Sequence, residues 1–140
     1  MSVLSANRFS LLMVALLGLV VTMLPAPAAA QVTAFRQAVA ENAARDEALA
    51  EFYRARDFEG IWTGTTSRDR ARRNALLGAF ADAGDHGLPT ADYDPDRIMA
   101  PLATADTADE KGAMEVYLSQ LFLQYARDVQ TGILRHRSVV

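Results

Sequence analysis

The sequence contains no cysteine. That excludes disulfides, thiolate nucleophiles and the usual thiolate zinc clusters from this stretch of chain. Histidine is nearly as scarce: His86 and His136 stand alone, with no partner at metal or triad spacing, so each reads as a surface side chain. No stretch alternates convincingly at period two, which argues against strands. No internal repeat or low-complexity tract appears after residue 31. Positive charge is not in excess either. The formal net charge is −3 at pH 7, which gives no electrostatic reason to expect nucleic acid or anionic lipid as a partner.

What is present begins with a leader. One positive side chain, Arg8, precedes an apolar run from Leu11 to Leu24, followed by Pro25, Pro27 and the small residues Ala28 to Ala30. This is the pattern of a secretory signal peptide. The run is short of the roughly 20 residues a bilayer span requires, so no stable membrane span is expected after cleavage. Residues 1–30 are therefore assigned to the signal peptide, with the mature chain starting at Gln31 and the product expected in the periplasm. Losing Arg8 moves the net charge to −4. Residues 31–140 support one small domain with one modest core and leave no room for a second. An export signal without cysteines means that stability rests on apolar packing alone.

Helical periodicity dominates the mature region. Thr107 and Glu110 have capping-box spacing, which predicts a helix from Ala108. Along it Met114, Leu118, Leu121, Phe122, Tyr125 and Val129 form one core-facing stripe, and Gly132 is the expected stop. Val116 and Leu123 lie on its opposite face. Either they are ordinary exposed apolar side chains, or the helix is central and has a second neighbour, which could lie in sequence outside this chain. Ser67 is the expected N-cap of a helix over residues 68–83, with Leu76, Leu77, Phe80 and Gly84 on one stripe and Gly84 or Gly87 as its stop. An earlier helix is expected from about Thr33 to Arg56, with Phe35, Val39, Leu49, Ala50 and Tyr53 on one side and Asn42 and Asp46 interrupting it. Between these helices "EGIWTGT" reads as a connector whose Trp62 plugs the core.

Three aspartates, Asp92, Asp94 and Asp96, alternate in "TADYDPDRI". A calcium loop counted from Asp92 would need glycine at its sixth position and glutamate at its twelfth, where the chain has Arg97 and Ala103. Three solvated acids on one connector also lack the pKa asymmetry of a glycosidase pair. The stretch reads better as punctuation, with Asp94 as N-cap, Pro95 at the first helical position and Asp96 against the helix dipole. The arginines of "RDRARR" (Arg68, Arg70, Arg72 and Arg73) point around a helix, with Asp69 expected to pair with Arg73, and read as a solvated helix start rather than a polyanion site. No catalytic, cofactor-binding or metal-ligating residue is assigned.

Three stretches together carry a resemblance: "FYRARDFEGIW" at Phe52 to Trp62, "GLPTADY" at Gly87 to Tyr93, and "YARDVQTG" at Tyr125 to Gly132. They resemble the N-terminal scaffold domain of exported bacterial L,D-transpeptidases that cross-link peptidoglycan, over most of residues 45–134. The resemblance implies that the chemistry belongs to a downstream domain with a cysteine nucleophile in a Ser-His-Gly-Cys type motif and a histidine base, which forms an acyl-enzyme with a tetrapeptide stem. His86-Gly87, between Asp85 and Leu88, is not that motif. Residues 31–140 are thus expected to be the front part of a longer protein and inactive alone, an expectation that the doubled apolar face of the last helix and the "RHRSVV" ending also suit.

The sequence therefore predicts a small all-α orthogonal domain of three main helices plus short connecting helical turns. Its expected core is Phe52, Tyr53, Trp62, Leu76, Leu77, Phe80, Leu118, Leu121, Phe122 and Tyr125. The expected partner is the downstream catalytic domain, with peptidoglycan or envelope proteins as further candidates. The alternative is a self-sufficient periplasmic binding or adaptor module.

Overall fold

A computed structural model describes residues 28–131. Residues 1–27, which carry most of the expected signal peptide, and residues 132–140, which include Gly132 and His136, lie outside the described part. Among the described residues the fold is all-α, with helices α1 (Ala28–Ala43), α2 (Glu47–Ala55), α3 (Ser67–Ala81), α4 (Pro95–Thr104) and α5 (Ala108–Thr131), and a 3-10 turn at Asp82–His86. None of these helices is long and apolar enough to cross a membrane.

The single helix expected over residues 33–56 is two helices. Asp46, which seemed to interrupt an apolar stripe, is the N-cap of α2: its carboxylate accepts the Leu49 amide at 3.1 Å. A residue whose side chain competes for backbone amides starts a helix better than it continues one. Asp46→Ala is expected to cost about 1 kcal/mol, read as a lower urea midpoint with an unchanged slope. After α2 the chain reverses through Asp57 and Phe58, both with positive φ (55° and 56°). That costs roughly 1–2 kcal/mol per residue without glycine. Phe58 packing into the core and the 3.0 Å ion pair of Asp57 with Arg36 work against this cost.

Helix α3 starts one residue earlier than expected. Thr66, not Ser67, is the N-cap, and Thr66 and Asp69 form a reciprocal capping box. The helix ends at Ala81, and the chain continues through the 3-10 turn to Gly87, whose left-handed φ of 69° suits glycine. The Asp94–Pro95 start of α4 and the Thr107–Glu110 start of α5 are as expected. Asp94 accepts the Asp96 amide at 3.0 Å, and Thr107 and Glu110 exchange bonds at 2.9 and 3.1 Å.

Both capping carboxylates are held below their ordinary values. For Asp69 the hydroxyl of Thr66 is the main cause, and for Glu110 the amide of Thr107. A carboxyl whose folded value is depressed contributes stability that is full above its unfolded value and is lost as pH falls through the folded one. The urea midpoint is accordingly expected to fall as the pH drops below 3.8, the ordinary value for Asp69. Asp69→Asn should flatten part of that slope; an unchanged slope would refute the assignment.

The core is divided in two by α5. On one side Met114, Leu118 and Leu121 pack with Trp62, Leu76, Phe80, Ala83, Leu88, Tyr93 and Ile98. On the other Val116 packs with Val39, Ala43, Leu49 and Tyr53, joined by the half-buried Leu123. Helix α5 is thus central, and its second neighbours are α1 and α2 of this same chain. The doubled apolar face consequently gives no sign of missing sequence. Gly112 allows the approach of α1, since a Cβ there would stand 2.5 Å from that of Ala38.

Two expected core residues are not in the core. Phe52 is 41% and Phe122 43% exposed, whereas Tyr53, Trp62, Leu76, Phe80, Leu118 and Leu121 are buried and Leu77 and Tyr125 pack at the margin. Val129, expected on the core stripe, is also exposed.

Candidate functional site

Between the two apolar faces of α5 runs a narrow polar seam, Glu115 and Ser119, one helical turn apart. The connector from α2 to α3 lies across it. Glu115 is completely buried. One carboxylate oxygen accepts the Ile61 amide at 2.6 Å and the Tyr53 hydroxyl at 3.0 Å. The other accepts the amides of Trp62 and Thr63 at 3.0 and 2.9 Å and the Thr63 hydroxyl at 2.9 Å. Three successive backbone N–H groups converging on one anion form a concave cradle. Ser119 completes the seam, sharing a 2.6 Å hydrogen bond with the Tyr53 hydroxyl and accepting the Trp62 indole N–H at 2.8 Å. Burial, followed by the nearby Glu115 charge, pushes the Tyr53 phenol far above its usual range. It therefore remains a neutral donor.

The opposite edge of the connector meets guanidinium groups. Arg72 donates to the Ile61 carbonyl at 2.6 Å, and Arg73 to the carbonyls of Trp62 and, at 3.0 Å, Gly64. Arg70 donates to the Thr65 carbonyl. The expected pairing of Asp69 with Arg73 does not form. Asp69 binds Thr66 and lies 3.8 Å from Arg72, because the arginines are drawn to carbonyls freed by an irregular segment. Three of the four arginines thus pin the connector, and the expected solvated helix start is corrected. The peptide units of Ile61 and Trp62 are held between a carboxylate on their N–H side and guanidiniums on their C=O side.

A second junction lies farther along α5. Tyr93 donates to the Asp128 carboxylate at 2.5 Å, and its ring stands 5.5 Å from Phe80 and 5.3 Å from Tyr125. Burial, with Asp128 adding to it, raises the Tyr93 phenol well above the ordinary range.

These two junctions join the three stretches singled out in the sequence. Tyr53 and Trp62 of the first meet α5 at Glu115 and Ser119. Tyr93 of the second meets Tyr125 and Asp128 of the third. A model of the Scaffold domain family matches residues 47–140. The chain belongs to that family. The match bears out the scaffold-domain resemblance carried by the three stretches, and the Scaffold domain residues that carry it are internal fasteners. No curated protein and no solved structure matches the chain.

The other candidates are accounted for locally. Asp94 is a cap, while Asp92 and Asp96 are exposed, and no cluster of three or more His, Cys, Asp or Glu among the described residues is arranged to hold a metal ion. His86 is exposed at the end of the 3-10 turn, its ring 6.4 Å from that of Tyr125. Sequence reasoning missed Glu115, Ser119, Arg72 and Arg73 as structural determinants. Glu115 did leave a signal: it and Ser119, at i and i+4, are the polar positions between two apolar faces of one helix.

Proposed function

We propose that this Scaffold domain chain is the non-catalytic segment of an exported, periplasmic peptidoglycan L,D-transpeptidase. Its role is to hold the catalytic part of the same protein in place. The observation that carries this reading is the use made of the motif residues. Tyr53, Trp62, Tyr93 and Asp128 are spent on bonds within the fold, as a rigid support requires. Chemistry in such a protein falls to a downstream cysteine, whose thiolate would take the acyl group of a tetrapeptide stem.

The test is the reading frame beyond the codon for Val140, followed by mass spectrometry of the whole gene product incubated with tetrapeptide muropeptides. A continuing frame with a His-Gly-Cys motif and an acyl adduct on that cysteine is the expected result. A stop codon at that point, or an adduct on residues 31–140, would overturn the proposal. Export is checked by N-terminal sequencing of the mature protein, expected to begin at Gln31. Cleavage there removes Ala28 to Ala30, which are exposed at the start of α1.

One observation favours a second reading, a stand-alone periplasmic adaptor. The two apolar clusters that flank α5 are filled from within the chain, as a self-sufficient module needs. Monodisperse, cooperatively unfolding residues 31–140 together with a stop after Val140 would establish it.

A further inference from the structure

The packing of α2 against α5 leaves an opening on one side. Ala48 and Phe52 of α2, Ile61 and Trp62 of the connector, and Phe122 and Leu123 of α5 wall a groove of about 400 Å³ that nothing among the described residues fills. Phe52 and Phe122 are its exposed aromatic side chains. Phe122 stands 5.9 Å from the Trp62 ring, and Phe52 meets the buried Tyr53 ring edge-on at 5.1 Å, so the walls rest on the core beneath them. Ser119 is the one polar side chain that lines the groove, and its hydroxyl is already bonded to Tyr53 and Trp62. An extended peptide laid there would bury backbone N–H and C=O groups without partners, whereas an α-helix arrives with its own satisfied.

The charge at the rim has one sign. The Arg56 guanidinium lies over the Phe52 ring, 5.5 Å from its centroid. Arg127 follows Leu123 by one turn of α5. Both arginines are exposed, and neither has a carboxylate partner among the described residues. At about 100° per residue, the acids of α2, Glu47 and Glu51, lie across that helix from the buried Leu49 and Tyr53 and so face away from α5. Asp57 and Glu59 of the connector are engaged by Arg36. In a chain of net charge −3, this rim is a local positive feature beside an apolar floor.

We infer that the groove docks an amphipathic α-helix of a partner protein, with aliphatic anchors against Phe52, Trp62 and Phe122 and with glutamate or aspartate on its flanks facing Arg56 and Arg127. Helices enter such grooves with apolar residues at i, i+3, i+4 and i+7, and aromatic side chains and arginine are the groups enriched at interfaces. Two exposed phenylalanines and the strip between them fall short of the roughly 800 Å² per partner of a standard interface, so the contact is that of one helix, not of two whole domains. The inference goes beyond the proposed function and does not rest on it.

Trp62, the single tryptophan, lines the groove and reports its occupation by fluorescence. The probe is a synthetic, end-capped helical peptide with leucine at i, i+3, i+4 and i+7 and glutamate at the flanking positions, and its counterpart carries lysine for each glutamate. Titrated into the full chain, the glutamate peptide is expected to give a saturable change, and the lysine peptide to bind about tenfold more weakly. Arg56→Glu with Arg127→Glu should reverse that order, and Phe122→Asp should abolish binding of both peptides. The reversal separates docking from damage to the fold, because a disordered groove would lose both. No binding of the glutamate peptide, equal affinity for the two peptides, or binding unaffected by Phe122→Asp would overturn the inference. A concentration-dependent dimer that the peptide does not disrupt and that Phe122→Asp removes would overturn it too, by assigning the groove to a second copy.

Discussion

Replacing Glu115 by glutamine is expected to destabilise the fold nearly as much as replacing it by alanine, by about 3–5 kcal/mol in either case. Glutamine matches the shape, so a contribution from packing alone would leave the variant close to wild type. The hydrogen bonds lead to the opposite expectation. Each oxygen of Glu115 already accepts at least two protons, and the donors come from Tyr53 and from three consecutive residues of the connector. An amide NH₂ in place of either oxygen would point two protons at other donors and leave them buried without an acceptor, at roughly 1–3 kcal/mol each. Urea unfolding followed by the fluorescence of Trp62 measures this directly. A glutamine variant within about 1 kcal/mol of wild type would show that the buried carboxylate is dispensable.

The second large effect is expected at Gly112. Its Cα faces α1 so closely that a Cβ would meet the Ala38 side chain at 2.5 Å and the Phe35 carbonyl and Val39 amide at 3.1 Å. The obstacle is largely backbone, which cannot rotate aside. Gly112→Val should therefore push α1 off α5, at a cost of roughly 2–3 kcal/mol, or on the order of 10–20 °C in melting temperature for a domain of this size. Gly78→Val is the comparison: Gly78 lies in α3 with open space around it, so only intrinsic helix propensity changes there. Equal losses at the two sites would remove the argument for close approach.

Features that depend on a few adjacent residues were legible in the sequence. Asp94 with Pro95 and Thr107 with Glu110 announce helix starts because a cap is completed within four residues, whatever the rest of the chain does. The core-facing leucines of α5 were legible through their spacing. What was not legible depended on distant geometry. Asp46 looked like a flaw in one helix because its helix-starting role shows only once the chain is seen to break. Phe52 and Phe122 satisfy the apolar pattern, yet they line an open groove that nothing among the described residues fills. Arg72 and Arg73 were read by charge, while their partners are carbonyls nine and eleven residues away, which no charge pattern displays. Of the candidate sites, the negative readings of Asp92 to Asp96 and His86 followed from spacing, but the Glu115 cradle required the connector to be folded over it.

The polar seam also fixes how α5 is oriented about its own axis. A helix with apolar residues on two sides has several rotations that bury comparable amounts of leucine, valine and methionine, and hydrocarbon contact discriminates among them poorly. Turning α5 by one residue, about 100°, would carry the Glu115 carboxylate into one of the two apolar clusters, where it would find neither the Ile61–Thr63 amides nor the Tyr53 hydroxyl. Buried charge of this kind adds little net adhesion but makes the alternatives prohibitive. Glu115 therefore works as an address, admitting one azimuth for the central helix and so one arrangement of the aromatic side chains that Tyr125 and Phe122 carry outward from it.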